Sequence, residues 1–86
     1  MNINDLIAIV KKKLTNKFLI EKIDIEDKSF LHKNHQGHQE GKFHLKLMIQ
    51  SSELKNLRRI ESDKKIYKTI DKEMKEYIHS LQILIS

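Results

Sequence analysis

The chain has 86 residues, 38% hydrophobic and 34% charged, and a net charge of +5. That length holds one domain, over residues 1–86, with a small core, and the balance fits a soluble globular protein. There is no cysteine, which excludes a disulfide framework, a thiolate nucleophile and a thiolate ligand, so any metal chemistry must use imidazole or carboxylate.

No apolar run approaches the ~20 residues that a membrane span needs. The opening Met1-Asn2-Ile3-Asn4-Asp5 lacks a basic stretch followed by an apolar one, so a cytoplasmic protein without a secretory signal is the expectation. The basic balance is compatible with nucleic acid or an acidic partner, and lysine-rich solvated helix faces produce the same value.

The spacing of Ile3, Leu6, Ile7, Val10 and Leu14 predicts a first helix from about Ile3 to Leu14. Asn2 followed by Asp5 resembles a capping arrangement, and Lys11, Lys12 and Lys13 put cations near the negative end of the helix dipole. A basic helix of this kind could lie on a membrane surface, but covering one side of a sheet is the commoner use of such a stripe. Phe18 to Asp27 is rich in isoleucine, ends in the alternation Ile23-Asp24-Ile25-Glu26, and reads as a strand.

Lys28 to Lys42 is polar and aperiodic, and it contains both glycines, Gly37 and Gly41, and the evenly spaced His32, His35 and His38. It reads as a long loop, and loops beyond ~12 residues in a compact domain are usually functional or disordered. Strict alternation returns at Phe43 to Gln50. Phe43, Leu45, Leu47 and Ile49 fall on one face, and His44, Lys46 and Met48 on the outer one, in a second strand antiparallel to the first.

Ser51 and Ser52 give a capping start to a short helix with Leu54, Leu57, Arg58 and Arg59. After a break around Ile60 to Ser62, a long helix capped by Ser62 and Asp63 carries Ile66, Tyr67, Ile70, Met74 and Tyr77 on its apolar face. Lys64, Lys65, Lys68, Lys72 and Lys75 lie opposite, with Asp71, Glu73 and Glu76 between them. At Ile78 to Ile85 the period changes to that of a strand, in which His79, Leu81, Ile83 and Ile85 alternate with Ser80, Gln82 and Leu84. The order α-β-β-α-α-β predicts an α+β fold, a three-stranded sheet with helices packed on one face.

Several enzyme chemistries are excluded. The chain has no glycine-rich phosphate loop and no serine in a strand–turn–helix elbow. Glu26 and Asp27 are adjacent and point to opposite sides of their strand, so they form no carboxylate couple. Loop histidines accept borderline metals, though a solvated polar loop has the same composition. His79 equally suits a partly buried imidazole at a strand edge. The lysine face could contact nucleic acid, but its interspersed acids favour a solvated surface.

These segments resemble the BolA family. "IHSL" at Ile78-His79-Ser80-Leu81 resembles the family's hallmark histidine strand, "HLKLMIQS" its second strand ending in serine, and Leu54 to Tyr67 its two-helix segment. "IDIEDKSFLH" resembles the first strand and loop, where a histidine, here His32, follows the serine by three residues. Leu54 and Asn56 stand where the family usually has Phe and Gly, and Ser62-Asp63-Lys64 where it often has Arg-His-Arg. No Gly-x-x-Gly loop is present, which argues against RNA clamping.

The resemblance implies a fold like the second type of KH domain and a non-enzymatic partnership with a monothiol glutaredoxin in iron–sulfur cluster assembly or iron regulation. A bridging 2Fe–2S cluster would take ligands from the glutaredoxin cysteine, glutathione, His79 and His32, with His35 and His38 close enough to His32 to substitute for it. The alternative it implies is transcriptional control through weak DNA binding, for which Arg58, Arg59, Lys64, Lys65 and Lys68 are the candidate contacts.

Overall fold

The computed structural model describes residues 1–29 and 42–86. Helix α1 spans Ile3–Lys17, and the Asn2 side chain accepts a hydrogen bond from the Asp5 N–H at 2.8 Å, so the expected cap is present. The helix runs one turn beyond Leu14. Nothing in Thr15-Asn16-Lys17 interrupts it, and Thr15 donates its hydroxyl back to the Lys11 carbonyl. Phe18 turns extended and ends the helix, its N–H still bound to the Leu14 carbonyl at 2.9 Å. It is therefore a buried anchor after α1, and the first strand starts four residues later than its isoleucine-rich stretch suggested.

Strand β1, Lys22–Asp27, pairs antiparallel with β2, Phe43–Gln50, from Lys22 opposite Gln50 to Asp27 opposite Leu45. The third strand, β3 over Ile78–Ile85, lies parallel to β2 on its other side, so the sheet order is β1-β2-β3. This is the expected three-stranded α+β arrangement. Ser51 caps the short helix α2, Ser52–Lys55, by accepting from the Leu54 N–H at 3.1 Å, and donates its own hydroxyl to the Leu19 carbonyl at 2.7 Å. One fully buried hydroxyl thus starts a helix and fixes the α1–β1 connection.

The long helix differs from its expected form at its start and in the middle. Helix α3 spans Arg59–Thr69, with Arg58 at the cap position and no side-chain cap, and α4 spans Asp71–Glu76. Ser62 does not cap; it is buried inside α3 and its hydroxyl donates to the Arg59 carbonyl at 3.0 Å. That local partner makes a buried serine tolerable in a helix interior. The chain leaves helical geometry at Ile70 (φ −111°, ψ 30°), which separates α3 from α4. Thr69 bonds back to the Lys65 carbonyl at 2.8 Å, a contact that bends helices. Tyr67, expected on the apolar face, is exposed.

Leu6, Val10 and Leu14 of α1, Leu45, Leu47 and Ile49 of β2, Leu54 of α2, Ile66 of α3 and Ile83 of β3 form one cluster with Phe18, Ile70 and Ile78. Each such aliphatic side chain contributes ~1.5–3 kcal/mol on burial. Glu73 breaks the expected pattern: it is 4% exposed, and its Oε2 meets Lys13 Nζ at 2.7 Å. Its neighbours Met74 and Tyr77 are half-buried against the core, so Glu73 lies on the same inward side of α4.

Candidate functional site

The sheet carries an irregularity where β3 begins. Phe43 lies opposite Ile78, but His44 lies opposite Ser80, so β3 has one extra residue, His79. The apolar pattern requires this. Ile78 and Leu81 both belong to the core, yet residues three apart in a regular strand face opposite sides. A bulge absorbs the odd residue and redirects its side chain, as bulges next to functional sites commonly do. His79 was expected in line with Leu81, Ile83 and Ile85. It is instead expelled from that face and exposed, and Ile78 takes the buried place.

Beneath it sits His44. The residue points to the outer face as expected, and at 6% exposed it is a buried imidazole. Two neighbours help account for this. The His79 ring lies against it edge-on, with centroids 4.9 Å apart and an interplanar angle of 62°. Ser80 Oγ stands 2.6 Å from His44 Nδ1, the hydroxyl donating or accepting according to the tautomer.

The main chain around His44 is tied down as well. Its N–H donates to Ser29 Oγ at 3.0 Å, its carbonyl accepts from the Lys28 N–H at 2.7 Å, and the Phe43 N–H donates to the Tyr77 carbonyl at 2.8 Å. Ser29, the last residue described before the histidine-rich segment, therefore touches His44 directly. His32, His35 and His38 lie outside the described residues. Among the described residues no group of three or more His, Asp or Glu side chains is gathered to hold a metal ion. Close by, Lys28 Nζ bonds Glu26 Oε2 at 2.7 Å, and this hydrogen bond, with the Lys28 charge and a smaller contribution from Lys46, holds the Glu26 carboxyl below its usual value.

The basic residues divide into two groups. Arg58 pairs with Glu61 at 3.7 Å and Arg59 with Asp63 at 2.9 Å, and Arg59 also donates to the Ile83 carbonyl on β3. The Arg59 guanidinium is thus engaged within the domain, while that of Arg58 stays largely exposed. Lys64, Lys65 and Lys68 are exposed on α3. Lys65 and Lys68 line a cleft of about 400 Å³ with Thr69 and Lys17, the last residue of α1. Lys17 is absent from the sequence-derived set because nothing in the order of residues joins the end of α1 to α3.

The BolA-like protein family model matches residues 14–86. The chain belongs to the BolA family. Its sequence is similar to the DNA-binding transcriptional regulator BolA of Haemophilus influenzae, 29% identical over 75 residues that cover 87% of this chain and 70% of that protein. Among solved structures it resembles the BolA domain of SufE1 from Arabidopsis thaliana, with a TM-score of 0.76 and 24% identity over 92% of this chain and 87% of that one. It also resembles BolA1 from Arabidopsis thaliana, with a TM-score of 0.75 and 21% identity over the same shares. At these identities the two structures speak for the fold of this BolA-family chain. No helix among the described residues is long and apolar enough to cross a membrane.

Proposed function

We propose that this BolA-family chain is a non-enzymatic partner of a monothiol glutaredoxin in iron–sulfur cluster assembly or iron regulation. In this reading His79 and His32 are its two ligands to a bridging 2Fe–2S cluster completed by the glutaredoxin cysteine and glutathione. The observation that carries it is the placement of His79: an exposed imidazole, put out of the core by a strand bulge and braced by a buried one. The donor type fits the group, because histidine replaces thiolate on one iron in Rieske-type centres and raises the potential. The donor number fits a shared site. The described residues offer one exposed imidazole, and a cysteine-free chain must leave the thiolates to its partner.

When bound, the cluster supplies one-electron and metal-transfer chemistry. The chain's own part is to present neutral imidazole nitrogens and to hold His79 on a strand end, which fixes a ring better than a loop does. Mixing the protein with a monothiol glutaredoxin, glutathione, iron and sulfide tests this. A mixed complex with a visible spectrum distinct from that of the glutaredoxin alone is expected, and absence of any complex by size-exclusion would refute the partnership.

A second reading is a DNA-contacting regulator. It is favoured by the printed name of the Haemophilus relative and by the cleft where Lys17, Lys65 and Lys68 converge. It would use phosphate contacts from those lysines, Lys64 and the largely exposed Arg58 in preference to Arg59, which is already paired. Affinity that falls steeply with salt, with a slope reduced by about one for each lysine neutralised, would support it. Binding indifferent to salt would remove it.

A further inference from the structure

We propose that His44 and Ser80 are positioning residues that hold the His79 ring in one orientation. The inference deepens the reading of His79 as a metal-facing imidazole and rests on it for its functional meaning, but the geometry stands by itself. A bulge places two consecutive residues, His79 and Ser80, opposite the single residue His44. Both contact the same ring. Ser80 reaches Nδ1 through its hydroxyl at 2.6 Å, and the His79 ring lies edge-on against it at 4.9 Å between centroids.

The support is itself rigid. His44 is 6% exposed, sits on the central strand of the sheet, and has its backbone N–H and carbonyl bound to Ser29 and Lys28. An exposed histidine at a bulge would otherwise choose among staggered χ1 wells. The Ser80–His44 hydrogen bond fixes the bulged backbone, and the His44 ring blocks part of the space into which His79 could rotate. The arrangement resembles an outer-shell contact around a metal, where a group that never touches the ion sets the angle of one that does. Ser80 and His44 are register partners on one face, so the brace is built into the sheet and does not depend on any partner.

The test begins with the full chain without metal. Proton and carbon three-bond couplings of the His79 side chain, read by NMR, give its χ1 populations. One dominant rotamer is expected in the wild type. Ser80→Ala removes only the hydroxyl of a residue that is exposed as a whole, and it should spread His79 over two or more rotamers while the amide shifts of Leu45 to Ile49 stay in place. His44→Phe keeps the ring edge and loses Nδ1, and should give a partial effect. Ser80→Thr retains the hydroxyl and should restore the single rotamer.

A His79 already averaged in the wild type, or unmoved in both Ser80→Ala and His44→Phe, would overturn the proposal. The second arm reads the visible circular dichroism of the mixed complex with glutaredoxin. There Ser80→Ala should weaken assembly roughly 10- to 100-fold, the usual cost of an outer-shell change. If the rotamer result holds but no variant alters the complex, the positioning stands and the ligand role of His79 fails.

Discussion

The buried ion pair between Glu73 and Lys13 offers a sharp test of the packing. Glu73 has a side-chain exposure of 5% and Lys13 one of 39%, and their charges meet at 2.7 Å. Glu73 Oε1 has no hydrogen-bond partner among the described residues. A unit charge pair near 4 Å interacts by ~1 kcal/mol in water and ~4 kcal/mol near a protein surface, and the exposure of Lys13 places this pair between those limits. A charge-assisted hydrogen bond has a net worth of ~1.5–3 kcal/mol. Lys13→Ala should therefore cost about 1.5–3 kcal/mol, because it leaves a carboxylate buried and unpaired.

Adding Glu73→Leu should recover most of that loss, since an apolar side chain of similar volume carries no desolvation penalty. Urea unfolding followed by circular dichroism measures both, with the slope m unchanged if the folded state is intact. A loss below about 0.5 kcal/mol in Lys13→Ala, or a double variant less stable than Lys13→Ala alone, would refute the reasoning.

Ser51→Ala should destabilise by about 1–3 kcal/mol in the same assay, since it removes the α2 cap and the hydrogen bond to the Leu19 carbonyl together. Glu26 has its folded carboxyl value lowered by Lys28, so its contribution is present above the unfolded value and is lost as pH falls through the lowered one; Glu26→Gln should flatten that part of the acid limb of a stability–pH curve. His32→Ala should weaken assembly of the mixed complex without abolishing it, because His35 and His38 lie three and six residues further along. Titration of the complex by visible spectroscopy would show a shifted midpoint with the same end point.

Strand β2 was fully legible because it is central and packed on one face, so its period of two carries no interruption from Phe43 to Gln50. The caps at Asn2 and Ser51 were legible for a similar reason: each needs only a short polar side chain beside a helical stripe. What escaped depends on contacts distant in sequence. Glu73 reads as one more solvated acid until Lys13 arrives from α1, 60 residues away. His44 reads as an outer-face residue until the bulge sets His79 and Ser80 against it. The bulge itself left a trace, since Ile78 and Leu81 are both apolar at a spacing no regular strand buries together. Helix α3 begins before Ser62, and Arg59 and Asp63 pair across its first turn, a four-residue relation masked by the polar run from Glu61 to Lys65.

On the proposed function His79 is a ligand and not a structural histidine, and one substitution separates the two roles. His79→Ala should leave the fold in place, because the side chain is exposed and the core positions on either side are filled by Ile78 and Leu81. Reconstituted with glutaredoxin, glutathione, iron and sulfide, it should lose the histidine-type visible spectrum of the mixed complex while the two apo-proteins still associate. A spectrum identical to that of the wild type would rule out ligation by His79 and return it to the role of a bulge residue.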